Sequence, residues 1–243
     1  MLKQLFEIAK TVIVASLRKN LILAVYLIML PLVLAAWLFE VNNIGFQTGF
    51  IIDAGHSLFS FLSIILLAVL SFEHLFCPKE QQTPWFYFSR LKYKILFPAG
   101  KFIGISLVLL SVLIDFSILL ILLLGFTSDA WLIEPIKIAF MVWAEYSLML
   151  AVFAFLLSFL SRLMSVGLIV SVFFVAHSAP FWESILPTWL AEPISIVFPN
   201  ASVFDLALES GSITNILLAL LYSVFMSAFY ISLSGFILRN RDL

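Results

Sequence analysis

Three ionisable side chains sit inside long apolar runs: Asp115 in SVLIDFSILL, Glu145 in MVWAEYSLML and His177 in SVFFVAHSAP. An ionisable group in hydrocarbon normally faces a bundle interior or a water-filled path. At 1.5 Å per residue, Asp115 and Glu145 each lie about 13 Å below the outer end of their runs, and His177 somewhat shallower. Two readings stand. One is a polar, proton-sensitive pathway. The other is interhelical hydrogen bonding to serines such as Ser111, Ser117 and Ser147.

Other chemistry is thinly represented. The three histidines, His56, His74 and His177, fall in different segments, and no HExxH pattern occurs. Cys77 is the only cysteine, so no internal disulfide can form, and no metal-ligand spacing surrounds it. No GxxxxGK[ST] loop occurs, so the chain carries no phosphate-binding loop of that kind. Ala54-Gly55-His56-Ser57 resembles one element of the membrane phosphatidate-type phosphatases. That family also needs a histidine downstream of a Ser-Arg pair. Leu96 and Leu168 stand at those positions after Ser89-Arg90 and Ser161-Arg162, so the nucleophile is missing. The chain is read as having no catalytic residues and no metal.

The elements that position these residues follow from hydropathy. The 243 residues are 63% hydrophobic and 11% charged, with mean hydropathy +1.17, more apolar surface than a soluble domain of this size can bury. Residues 1–19 read as an interfacial amphipathic helix, with Leu2, Leu5, Phe6, Ala9, Val12, Ile13 and Ser16 on one face. Six spans follow: Leu21–Phe39, Ala54–Phe72, Phe102–Leu124, Ile136–Leu160, Met164–Phe181 and Ile213–Leu238. Each holds 18 to 26 residues. The short break at Ser161-Arg162 predicts a tight hairpin between the fourth and fifth. With the N-terminus inside, twelve of the 13 Lys and Arg residues face the cytoplasm and only Lys137 lies outside, so both termini are expected to be cytoplasmic. Residues 182–212, with Pro187, Pro193 and Pro199, read as short helices dipping into the outer leaflet.

The segment Glu80–Lys101 carries Arg90, Lys92, Lys94 and Lys101 together with Trp85, Phe86, Tyr87 and Phe88. Thr83-Pro84 reads as a helix cap followed by a proline at the first helical position, and Pro98 and Gly100 as the stop. It is either a short helix on the inner membrane surface against which a soluble partner can push, or an ordinary positive-inside loop with aromatic anchors.

This layout resembles the type-2 ABC exporter permease family, and within it the branch of multi-copper-enzyme and nitrous-oxide-reductase maturation permeases. Ser89-Arg90, Tyr93 and Gly100-Lys101 are similar to that family's SRxxY…GK pattern. Leu156-Leu157-Ser158 with Ser161 resembles its LLSxxxS stretch. Ala176-His177-Ser178 resembles its GHxS-like element, with alanine for glycine. Phe198-Pro199-Asn200 with Phe204-Asp205-Leu206 resembles LPNxxxFNL. The resemblance implies an all-α integral membrane subunit of the cytoplasmic (inner) membrane. A second permease copy would pair with it, and two separate ABC ATPase subunits would carry ATP-Mg. It implies that residues 83–101 form the coupling helix, with Thr83, Trp85, Phe86, Arg90, Lys92, Tyr93 and Lys101 meeting the ATPase. Asp115, Glu145 and His177 would serve the pathway, and Pro199, Asn200 and Asp205 the outer segment. No cofactor on this chain and no nucleic-acid partner is expected. The alternative is a non-transporting ABC-like membrane component that transmits ATP-driven motion to an outer-side protein.

Overall fold

The computed structural model describes residues 2–18, 23, 25–27, 30–31, 34, 47–76, 95–128, 133–178, 181, 185–187 and 199–240. Among these there are helices and no strand. They are α1 (Leu2–Arg18), α2 (Gln47–Ser71, continued by a π turn, Phe72–Phe76), α3 (Leu96–Ser128) and α4 (Glu134–Phe159). Then come α5 (Arg162–His177), α6 (Ser202–Ser210) and α7 (Ile213–Asn240). Four of them contain stretches long and apolar enough to cross a membrane: His56–Leu75, Leu96–Leu122, Glu134–Phe159 and Ile213–Leu238. This is the build of a membrane-embedded protein.

Helix α4 is the axis of the bundle. It packs against α2, α3, α5, α6 and α7, and almost every residue from Ile138 to Ser158 is buried. Its sequence fits that position. Pro135 fills the first turn, where no backbone donor is needed, and small residues (Ala139, Ala144, Ala151, Ala154) recur among large ones, so neighbours approach on all sides. Serines fasten the neighbours to it. Ser223 of α7 donates to the Ala144 carbonyl at 2.6 Å, and Ser117 of α3 to the Pro135 carbonyl at 3.1 Å. The turn into α5 is tight, as expected, with Leu160 and Ser161 both extended.

The structure moves several expected boundaries. Residues Leu96–Lys101, read as the end of the coupling helix, are the first turns of α3. Pro98 does not stop that helix because a first-turn residue has no intrahelical donor to lose. Gly100 does not stop it because it is a contact point instead. A Cβ at Gly100 would lie 2.7 Å from Ile8 Cβ, and one at Gly104 2.7 Å from Val12 Cβ. Helix α1 therefore docks directly on the base of α3. Its buried face is Ile8, Ala9, Val12 and Ser16, whereas Leu2 and Phe6, assigned to the same face from sequence, are exposed. The fifth expected span is shorter than supposed. Helix α5 has 16 residues, and the chain returning at Ala201 seats on its last turn, Ala201 N–H donating to the Ala176 carbonyl at 3.2 Å. Most of the first expected span and most of residues 182–198 lie outside the described residues.

Candidate functional site

The bundle has two differently furnished ends. At the basal end, where α2 finishes and α3 begins, His74 Nε2 lies 3.1 Å from Ser16 Oγ and ties the π turn to α1. Ile95 packs onto Gly235 of α7, where a Cβ would come within 2.4 Å of it. Lys101 Nζ stands 5.9 Å from the centre of the Phe97 ring, within reach of the Glu73 charge. Thr83, Trp85, Phe86, Arg90, Lys92 and Tyr93 lie outside the described residues, as does Cys77.

At the opposite end the starts of α2, α4 and α7 surround a cavity of about 430 Å³. Its lining includes His56, Glu134, Lys137, Asp205 and Glu209. Glu134 and Lys137 pair at 3.3 Å, both well exposed. Helix α6 supplies Asp205 and Glu209. It starts deep, with Ala201 packed on Met149 of α4 and Ala176 of α5, and rises to Gly211, whose left-handed φ of 59° turns the chain into α7. Asn200 organises the deep start. Its side-chain oxygen accepts from Ser202 N–H at 3.0 Å and Ser202 Oγ at 2.6 Å, while its own N–H donates to Tyr222 Oη at 2.9 Å. Pro199 beside it is buried. The Pro199-Asn200 element is thus an anchor, and Asp205, one turn on, is the member exposed to the cavity.

Between the two ends a buried glutamate meets a partly exposed histidine. Glu145 of α4 is 4% exposed, and its Oε1 is 2.8 Å from His177 Nε2. Apart from that contact, this oxygen is buried with no hydrogen-bond partner among the described residues. The other ring nitrogen, His177 Nδ1, is 2.9 Å from the Phe173 carbonyl, and the Phe173 ring lies against the imidazole at a centroid distance of 4.1 Å. The charge of Asp205 reaches both His177 and Tyr146. So His177, read from sequence as lying nearer the surface, is at the depth of Glu145.

Asp115 does not join them. Ser117 stands level with Pro135 and Ser106 with Ser147, so Asp115 is displaced from Glu145 by roughly 12 Å along the axis, at 1.5 Å per residue. It occupies an outward-facing stripe of α3 with Leu107, Ser111, Ile118 and Leu122. Its partner is the Tyr26 hydroxyl, and the Tyr26 ring stacks on Phe116 at 5.1 Å. The serines expected to satisfy the acids are used elsewhere. Ser147 meets Ser106 at 2.7 Å, and Ser111 bonds the Val108 carbonyl of its own helix at 2.8 Å. Tyr26 was not singled out from sequence. The available signal was one hydroxyl in an otherwise apolar run.

Among the described residues, no three His, Cys, Asp or Glu side chains gather as metal ligands would. A separate groove of about 260 Å³ between α2, α4 and α5 is lined almost wholly by apolar side chains, among them Leu67, Phe72, Phe153 and Phe173. No protein-family model matches the chain, and no curated protein does.

Proposed function

We propose that the chain is the permease subunit of an ABC exporter. Two copies would work over two separate ATPase subunits that hold ATP-Mg, in the cytoplasmic membrane, with both termini and the basal end inside. The observation that carries this reading is the construction of the base. Residues 77–94 connect two helices that are each locked in place. The end of α2 is tied to α1 through His74 and Ser16, and the start of α3 is gripped by α1 at Gly100 and Gly104 and packed against α7 at Ile95. A push on the basic, aromatic connection would enter α3 and pass directly to α4, which touches five other helices of the bundle.

Two further features support the reading. The carboxylate of Asp115 on an outward stripe of α3 is costly against lipid, and a second copy would cover it. The deep start of α6 against Met149 fits an outer segment that re-enters the membrane before the last span. The test is purification in mild detergent from cells expressing the full chain. An ATPase subunit should co-purify, and its hydrolysis should depend on this chain. Recovery of the chain without any ATPase, under conditions that preserve its dimer, would sink the proposal. If the ATPase is present but the paired chains enclose no continuous polar cavity, the assembly transmits force to an outer-side protein instead of moving a substrate.

A further inference from the structure

The Glu145–His177 contact constrains where protons can be. The Phe173 carbonyl is an acceptor only, so the Nδ1 facing it at 2.9 Å must carry a hydrogen. In the neutral imidazole Nε2 is then a bare lone pair. A carboxylate oxygen 2.8 Å from that lone pair is repelled by it. The contact is attractive only with one more proton, held on Nε2 as imidazolium against carboxylate, or on Glu145 as a carboxylic acid donating to Nε2. Either form is neutral overall, which is what a buried pair requires.

We propose that Glu145 and His177 form a binding site for a single exchangeable proton, loaded through the exposed edge of the imidazole. The His177 side chain is 34% exposed while the Glu145 side chain is 6% exposed, so the imidazole is the open edge of the site. On loading, a hydronium ion at that exposed edge gives its proton to Nε2 and leaves as water, with no other bond changed. The groups facing the pair fit a one-proton site. From α4 comes Tyr146, hydrogen-bonded to Ser60 of α2, and from α6 comes Asp205, whose negative charge favours the loaded form. Neither of these is a cation, and Lys137 at the cavity rim is paired with Glu134. The inference does not depend on the exporter reading.

The experiment is nuclear magnetic resonance of the full chain in lipid nanodiscs, with labelled histidine and glutamate, followed over pH. His56→Asn and His74→Asn variants assign the His177 signals. Nδ1 of His177 should stay protonated throughout. As the pH falls, the His177 Nε2 signal should change from that of a bare lone pair to that of a hydrogen-bonded nitrogen. A neutral His177 protonated at Nε2 would overturn the site. Glu145→Gln should move the His177 midpoint by about one pH unit or more, the usual size of a close charge partner's effect, and an unmoved midpoint counts against the pair. Transfer to D2O should exchange the shared proton within seconds. Retention for hours would overturn the opening of the site at the imidazole edge. The tautomer and the exchange are read in the parent chain, so a Glu145→Gln variant that fails to fold leaves the proposal testable.

Discussion

A buried carboxylate with one partner makes its partner more valuable than the pair. Glu145 is 4% exposed, and among the described residues its Oε1 has His177 as its one polar contact. His177→Leu therefore strands a charge, or forces its protonation, and is expected to cost about 3 kcal/mol, the lower end for breaking a buried pair because the imidazole is partly open. The double variant Glu145→Leu/His177→Leu removes both polar groups and should be more stable than His177→Leu alone. Thermal unfolding of the three proteins in one detergent checks this, and simple addition of the single losses would contradict it. Asp115 behaves differently because it is exposed and has the Tyr26 hydroxyl as donor. Asp115→Asn keeps an acceptor for that hydroxyl and should fall within about 1 kcal/mol of the parent, whereas Tyr26→Phe leaves the carboxylate without its donor and should lose more. The residue types were legible from sequence, since two acids and a histidine in apolar runs stand out. Their pairing was not. It depends on how α4 and α5 pack, with the chain returning at Ala201, far away in sequence, seated on the last turn of α5.

Glycines separate the elements that are clamped from those that are loose. At Gly104 a Cβ would meet Val12 Cβ at 2.7 Å and the Ala9 carbonyl at 2.9 Å, neither of them the end of a flexible side chain, so α1 would have to back away. Gly104→Ala is expected to destabilise by about 1–3 kcal/mol, as overpacking does. At Gly167 in α5 a Cβ meets nothing within 4 Å among the described residues. Gly167→Ala should stabilise by about 0.5–1 kcal/mol through helix propensity alone. Opposite signs from the same substitution, read by thermal unfolding, distinguish a helix seat from free helix surface, and equal signs would remove the clamp. Hydropathy made the long helices readable. It also misplaced their ends at the base, because Pro98 and Gly100 carry the same letters whether they terminate a helix or begin one. Amphipathicity identified α1 correctly as an element but not its contact face. Leu2 and Phe6 are as apolar as Ile8 and Val12, and only the glycine pair on α3 selects the latter as the buried set.

At the scale of the molecule, the two ends have opposite character, basic and clamped at one, acidic and hollow at the other. If the basal end is cytoplasmic, Cys77 should label with an impermeant thiol reagent only after cells are opened. Glu209→Cys in a Cys77→Ser background, placed at the cavity, should label in intact cells. Labelling of both from one side would end the topology. The coupling of the base to an ATPase is a sharper matter, since two structures compete for it: residues 83–94 and the α1–α3 clamp. Exposed ion pairs contribute about 0–1 kcal/mol each, whereas a seated aromatic can contribute 2 kcal/mol or more. Trp85→Ala and Phe86→Ala should therefore weaken ATPase association, or uncouple hydrolysis, by at least about tenfold, and Lys92→Ala by much less. Arg90→Ala should resemble the aromatic variants if its guanidinium meets a carboxylate with both forks. Pull-down and hydrolysis rates for each variant in one membrane system decide between the routes. If the aromatic variants bind and couple like the parent while removal of α1 abolishes both, force enters through α1. Its seat at Gly100 and Gly104 is then the lever that turns α3 against α4.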